Sequence, residues 1–323
     1  MKKWFGILVI VLITGCKQEN SLYLTDLAKI IFADSALAAK IVVMEDEYTK
    51  QLGPYEMSAS MKTTNKVTYD QFMNHLAVNV RSWLPQEKEM FERLSLKAKA
   101  ALKDYDLNFP EEIILIKTTA DEYGGISAAY TRMNAIMFTE KSILNDEDQL
   151  LKIYYHELFH VFSRQNPNLQ KTLYQILGFE ESNEIELPSE WNNVRITNPD
   201  APVFNTVIEL DSGEGSKTYT PYLFSTSPVY DTTRPGGLFQ SVAFQLIEVI
   251  REDSLWIPLF FDGEPVFQNP FDMESFWQKI GKNTQYIIHP EEILASNFEL
   301  LMLGETNVPN PEILHKLKEV LAK

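Results

Sequence analysis

Leu150-Leu151-Lys152-Ile153-Tyr154-Tyr155-His156-Glu157-Leu158-Phe159-His160-Val161-Phe162 is an apolar, strongly helical run, and its last part contains HExxH. On a helix, positions four apart lie on one face about one turn apart. His156 and His160 can therefore bind one metal ion together, and Glu157 can reach a water beside it. Two nitrogens and a positioned carboxylate are most of a zinc-hydrolase site.

The flanks delimit this helix. Asn145-Asp146-Glu147-Asp148 supplies an N-cap and first-turn acids, and Asn166-Pro167 supplies the stop. Leu150, Leu151, Tyr154, Leu158, Val161 and Phe162 are expected to bury most of the surface. Two histidines on the remaining strip of a mostly buried helix need partners, and a metal satisfies both.

Zinc needs a third protein ligand and one open position. The chain has five histidines, so three lie outside the motif. His75 and His315 sit on helices as expected surface groups. His289 precedes Glu291 and Glu292 at the start of a helix predicted from Pro290 to Leu303, with Gly304 after it. The two acids differ by about 100° around that helix. Glu291 shares a face with Leu294, Phe298 and Leu301; Glu292 shares one with Ala295, Ser296 and Glu299. The second face is small enough to approach the HExxH helix, which selects Glu292, with Glu291 the alternative. Stabilising the helix N-terminus is the ordinary use of both acids.

HExxH on one helix with a glutamate on a later one resembles the gluzincin metallopeptidases. That resemblance implies an α+β fold with a zincin-like core: a small antiparallel or mixed sheet, the HExxH helix and the third-ligand helix. It implies one Zn2+ per chain on His156, His160 and Glu292, and peptide or protein substrates. Hydrolysis would use a zinc-activated water with Glu157 as general base. His289, one turn before Glu292, is the candidate oxyanion donor; Tyr130, Arg195, Tyr222 and Tyr286 are others. Asn134-Ala135 resembles the edge strand with which gluzincins hold substrate backbone. In that group the glutamate often opens Glu-x-x-x-Asp; here Ser296 stands at the aspartate's position, which puts the usual support of the first histidine in doubt. The separation between His160 and Glu292 is also long, and a β-rich insertion at about 180–268 would account for it. Phe109 to Phe179, with His289 to Leu303, resembles uncharacterised bacterial lipoproteins that carry this motif.

Elsewhere the pattern is scaffold. Leu24, Leu27, Ile30, Ile31, Ala38, Ile41 and Val42 predict helix from Leu22 to about Lys50, and 56–65 reads as loop. Thr68 with Gln71 predicts a capping box opening a helix to Trp83, and Pro85 opens another to about Asp104. These make an N-terminal helical region, 22–108, before a catalytic region, 109–323. Glu112 to Thr118 predicts a buried strand, and Ile126 to Phe138 is β-prone. Val203–Leu210 and Lys217–Phe224 flank a hairpin loop at 211–215. Leu238 to Ile250 fits strand or helix.

The 323 residues suffice for one large domain or two modest ones. A net charge of −16 argues against nucleic acid, whose phosphates would repel it. Met1-Lys2-Lys3, an apolar stretch from Trp4 to Ile13, and Thr14-Gly15-Cys16 read as a signal peptide over 1–15. Ile13-Thr14-Gly15-Cys16 resembles a bacterial lipobox. This implies lipidation of Cys16, a polar tether over 16–21, and a membrane-anchored, extracytoplasmic protein of the bacterial cell envelope. Two other functions fit the same residues: a non-catalytic lipoprotein that binds zinc or a partner, and a zinc hydrolase of a non-peptide amide or ester. Intact Glu157 favours an enzyme, since a structural zinc does not need it.

Overall fold

A computed structural model describes residues 22–125 and 129–323, so the signal sequence and Cys16 lie outside the described residues. The chain enters its first sheet at β1 (Lys29–Phe32) and continues through α1 (Ser35–Val42), α2 (Glu47–Gln51), α3 (Pro54–Ser60) and α4 (Tyr69–Val78). After β2 (Val80–Arg81) come α5 (Pro85–Leu102), β3 (Glu112–Thr118), β4 (Tyr130–Arg132) and β5 (Ala135–Thr139). The sheet order is β1-β3-β5-β4; β1, β3 and β5 run parallel, β4 runs antiparallel to β5, and β2 pairs with the far end of β3.

Parallel strands covered on both faces carry apolar residues at successive positions. In β3 and β5, Ile113, Leu115, Ile136 and Phe138 join one core with α5, while Ile116, Ala135 and Met137 join another with α1 and α4. After α6 (Glu140–Ile143), α7 (Glu147–Gln165) carries HExxH on the first of these cores. Asp146 caps it, accepting from the Gln149 N–H at 2.9 Å.

The chain then forms α8 (Pro167–Ile176), β6 (Phe179–Glu181) and α9 (Ser189–Asn192). β7 (Thr206–Asp211), β8 (Ser216–Ser225), β9 (Val242–Glu252) and β10 (Leu255–Pro258) extend β6 into an antiparallel sheet ordered β10-β9-β8-β7-β6, and Phe267–Gln268 also pairs with β9. α10 (Glu274–Ile280), α11 (Pro290–Met302) and α12 (Pro311–Leu321) complete an α+β fold with one mixed sheet, one antiparallel sheet and a two-stranded ribbon of Phe260–Phe261 and Glu264–Pro265. Phe159 of α7 meets Phe298 of α11 at 5.4 Å between ring centroids, locking the two helices together.

Several expectations change. Leu22 to Lys50 is not one helix: Ile30 and Ile31 fall in β1, because four residues are too few to separate a period of two from one of 3.6. The stretch read as loop from 56 begins inside α3, which Pro54 opens and whose Tyr55 and Ala59 are buried. The predicted helix to Trp83 stops at Val78 and turns into β2, although its capping box is as expected. Residues 22–108 are therefore not purely helical; they give two strands to the sheet beside α7. Leu238 to Ile250 begins in a 3-10 turn, Gly237–Phe239, and is strand β9 from Val242 onward.

Candidate metal centre

α7 and α11 bring three predicted ligands together. Donor atoms of His156, His160 and Glu292 all lie within 4.8 Å of one another and could hold a metal ion. His156 Nε2 is 3.0 Å from Glu292 Oε2, and His160 Nε2 is 3.5 Å from the same oxygen. Ligands about 2.0–2.1 Å from a tetrahedral ion stand roughly 3.3 Å apart. The ligand separations thus fit such an ion.

The charge balance fits as well. Glu157, Glu291 and Glu292 are buried and Asp200 nearly so, against two imidazoles and Arg164. Arg164 gives its N–H groups to the carbonyls of Thr131, Met133, Pro199 and Asp200 rather than to a carboxylate. His160 Nε2 is buried with no hydrogen-bond partner among the described residues, yet it faces Glu292 and Asp200. Burial alone would favour the neutral ring; Asp200 and Glu292 outweigh it and hold the His160 pKa well above its usual value. Burial likewise raises Glu292, but His160 and His156 hold its carboxyl well below the usual range. A pocket of acids around an unpartnered ring nitrogen is where a divalent cation is at home.

Glu291 is buried too, but on the other side of the His160 ring. Its Oε1 lies 3.1 Å from His160 Nδ1, while Oε2 accepts from Ser163 Oγ at 2.9 Å, Tyr174 Oη at 2.8 Å and Gln170 Nε2 at 3.3 Å. An Nδ1–H donated to Glu291 leaves the Nε2 lone pair for a metal. Support that the sequence placed in doubt at Ser296 thus comes from Glu291, and goes to the second histidine.

Glu157 is 3 % exposed, and its Oε2 accepts from Thr131 Oγ1 at 2.7 Å. Burial raises its pKa against the lowering effect of His160 and His156. With His156, Asp200, Tyr286, Glu292 and Glu299 it lines a cavity of about 230 Å³.

Three predicted site residues lie elsewhere. His289 is the N-cap of α11: its Nδ1 accepts from the Glu291 N–H at 3.2 Å and its Nε2 meets Thr206 Oγ1 at 3.3 Å. Burial pushes its pKa down to about 4. It lines a second cavity and not the one holding His156 and Glu157, so the oxyanion role expected of it is corrected to capping. Asn134-Ala135 is not an edge. Ala135 starts β5, which is paired on both sides, and Asn134 sits in the β4–β5 turn. The edge is β4, because the turn at Met133, with φ of 52°, folds Tyr130–Arg132 to the outside.

The sequence did not point to Thr131, Asn198 or Asp200. Asn198 Nδ2 donates to Glu292 Oε1 at 2.5 Å, and Asp200 Oδ1 accepts the Thr131 N–H at 2.7 Å. Glu157, His160 and Asp200 form a second group of donors within 4.8 Å of one another. Ser163 had a signal, since it stands three residues after His160 on the same helix face. Asp200 had none, being brought in by a loop. Comparison with protein-family models, curated proteins and solved structures finds no match for this chain.

Proposed function

We propose that the chain is a zinc-dependent peptidase, anchored by lipid on Cys16 at the outside face of a bacterial membrane. One observation carries the reading: a buried carboxylate, Glu157, stands in the cavity beside His156, His160 and Glu292. A purely structural ion would need no such group. A mixed sheet with an antiparallel edge strand beside α7 supports the zincin-like reading of the core.

Zinc would supply Lewis acidity and a water acidified toward neutrality. Glu157 is the proton acceptor; its raised pKa makes it a better base, and Thr131 fixes one of its oxygens. Tyr286 lines the same cavity, its ring 6.2 Å from that of His156, and its hydroxyl replaces the His289 ring as the candidate donor to a developing oxyanion. The outer side of β4 is the edge on which an extended peptide would pair once Asp200 and Arg164 release the Thr131 N–H and carbonyl that they hold.

The test is Glu157→Gln, read by zinc content and by cleavage of a mixed peptide library. Retained zinc with hydrolysis lowered by about 10²- to 10⁴-fold is expected. Normal cleavage by the variant would show that Glu157 is not the base. A non-catalytic zinc lipoprotein is the second reading, and one observation favours it: Asp200 brings a third carboxylate to His160, beside Glu291 and Glu292, and crowds the side where catalysis needs an open position.

A further inference from the structure

The segment that carries Asp200 lies against α3, α7 and α11. Thr197 accepts the Tyr123 hydroxyl on its carbonyl at 3.1 Å and gives its N–H to Glu56 at 3.2 Å. Asn198 reaches Glu292, and Arg164 holds the carbonyls of Pro199 and Asp200 at 3.2 and 3.0 Å. Asp200 then places one oxygen on two targets: 2.7 Å from the Thr131 nitrogen and 4.0 Å from His160 Nε2.

The position along β4 gives this meaning. Ala129, just before the strand, lines the 230 Å³ cavity that holds His156 and Glu157. Arg132 and Met133, at its other end, line a second cavity of about 380 Å³ with Arg164, Tyr174 and His289. Asp200 lines both cavities and so stands between them, above Thr131. Residues of one strand thus border two cavities, and the N–H between them already has an acceptor from this chain. The Thr131 N–H points away from β5, the direction in which an added strand would pair.

Resting on the reading of the site as a zinc peptidase, we infer that Asp200 is an internal occupant of that site. Its carboxylate stands 4.0 Å from His160 Nε2, beside the His156, His160 and Glu292 donors and outside their group, and it caps the edge-strand N–H that an extended peptide would use. The 197–200 segment must swing aside before the two cavities join into one groove along β4. The chain as folded is self-blocked, and the peptide it accepts is extended, long enough to occupy both cavities. This accounts for a site with a buried base and yet an acid of the same chain set over it. It makes Asp200 a positioning residue whose removal changes the metal's surroundings as well as turnover.

The experiment uses the full chain in detergent, loaded with Co2+, whose visible absorption reports coordination. Wild type, Asp200→Asn and His156→Ala are compared, with cobalt affinity measured by competition against a chelator. Asparagine keeps an acceptor for the Thr131 N–H and removes the negative charge beside His160, so the fold is retained. The inference expects Asp200→Asn to bind cobalt at least about tenfold more weakly, with an altered visible band. It also expects faster cleavage of extended peptides than wild type once zinc is saturating. A band and an affinity equal to wild type overturn the inference and leave the peptidase reading standing, provided His156→Ala loses the band. If wild type shows no His156-dependent cobalt band, the zinc reading itself falls and this inference falls with it.

Discussion

Glu291 and His160 are joined by a 3.1 Å contact at Nδ1, so neighbouring acids on one helix grip the same imidazole from opposite sides. A ring has two nitrogens, and the sequence argument that only one acid could face the HExxH helix overlooked this. Glu292 reaches the Nε2 side, where a metal would sit; Glu291 sets which nitrogen carries the proton.

Glu291→Gln should therefore damage metal binding without touching a ligand. With the amide oxygen toward His160, its NH2 group confronts three donors, Ser163, Gln170 and Tyr174. With the amide reversed, NH2 faces Nδ1 and forces the proton onto Nε2. Either way zinc affinity should fall by about 10- to 100-fold, and stability by about 1–3 kcal/mol. Isothermal titration with zinc and a urea melt measure the two. Unchanged affinity would leave Glu291 with no part in orienting the ring.

How far the sequence reached depends on how local each signal is. α7 was legible because its cap, its stop and its apolar faces all lie within one stretch, and the residues expected inside are all buried. Glu292 was legible because Pro290 and two acids mark a helix start. β1 was not, since Lys29–Phe32 lies beside helical residues and gains its strand identity only by pairing with β3. Asn134-Ala135 misled because a two-residue match says nothing about which strand of a hairpin ends outside. Asp200 was invisible: Asn198-Pro199-Asp200 reads as a turn, and only tertiary folding lays it on Thr131.

Arg164 binds the edge strand to the crossing segment through four carbonyls and no carboxylate. A lysine has a single ammonium and cannot reproduce that fan. Arg164→Lys should cost about 1–3 kcal/mol, because buried carbonyls lose their donors. It should also speed protease nicking within 197–203. Limited proteolysis followed by mass mapping reads this; a cleavage pattern identical to wild type would show that Arg164 does not secure the segment.

Zinc should stabilise the fold measurably. The donors are assembled by α7 and α11, which the unfolded chain does not bring together, so binding energy appears as folding energy. At free zinc about 1,000 times the Kd, the gain is about 4 kcal/mol. His156→Ala and Glu292→Ala should abolish most of that gain, whereas His315→Ala, on α12, should not. Thermal melts with and without zinc decide it. Equal shifts in all three variants would place the ion elsewhere.

The last prediction concerns Glu56, which lies beneath the segment carrying Asp200 and is wholly buried. Burial raises its pKa to about 8, against hydrogen bonds from Thr197 and the charge of Arg195. An unfolded glutamate titrates near 4.5. Between these values the folded chain holds a proton that the unfolded chain has released. Stability must therefore fall as pH rises through that window, by about 1.4 kcal/mol per unit, and level off above it. Glu56→Gln cannot ionise and keeps an acceptor for the Thr197 N–H. Its stability relative to wild type should climb from pH 5 to pH 8 by a few kcal/mol, on the order set by the shift. Urea melts of both proteins at pH 5, 6.5, 8 and 9 measure the difference. A constant offset across that series would mean that Glu56 folds ionised, with Arg195 close enough to compensate its burial.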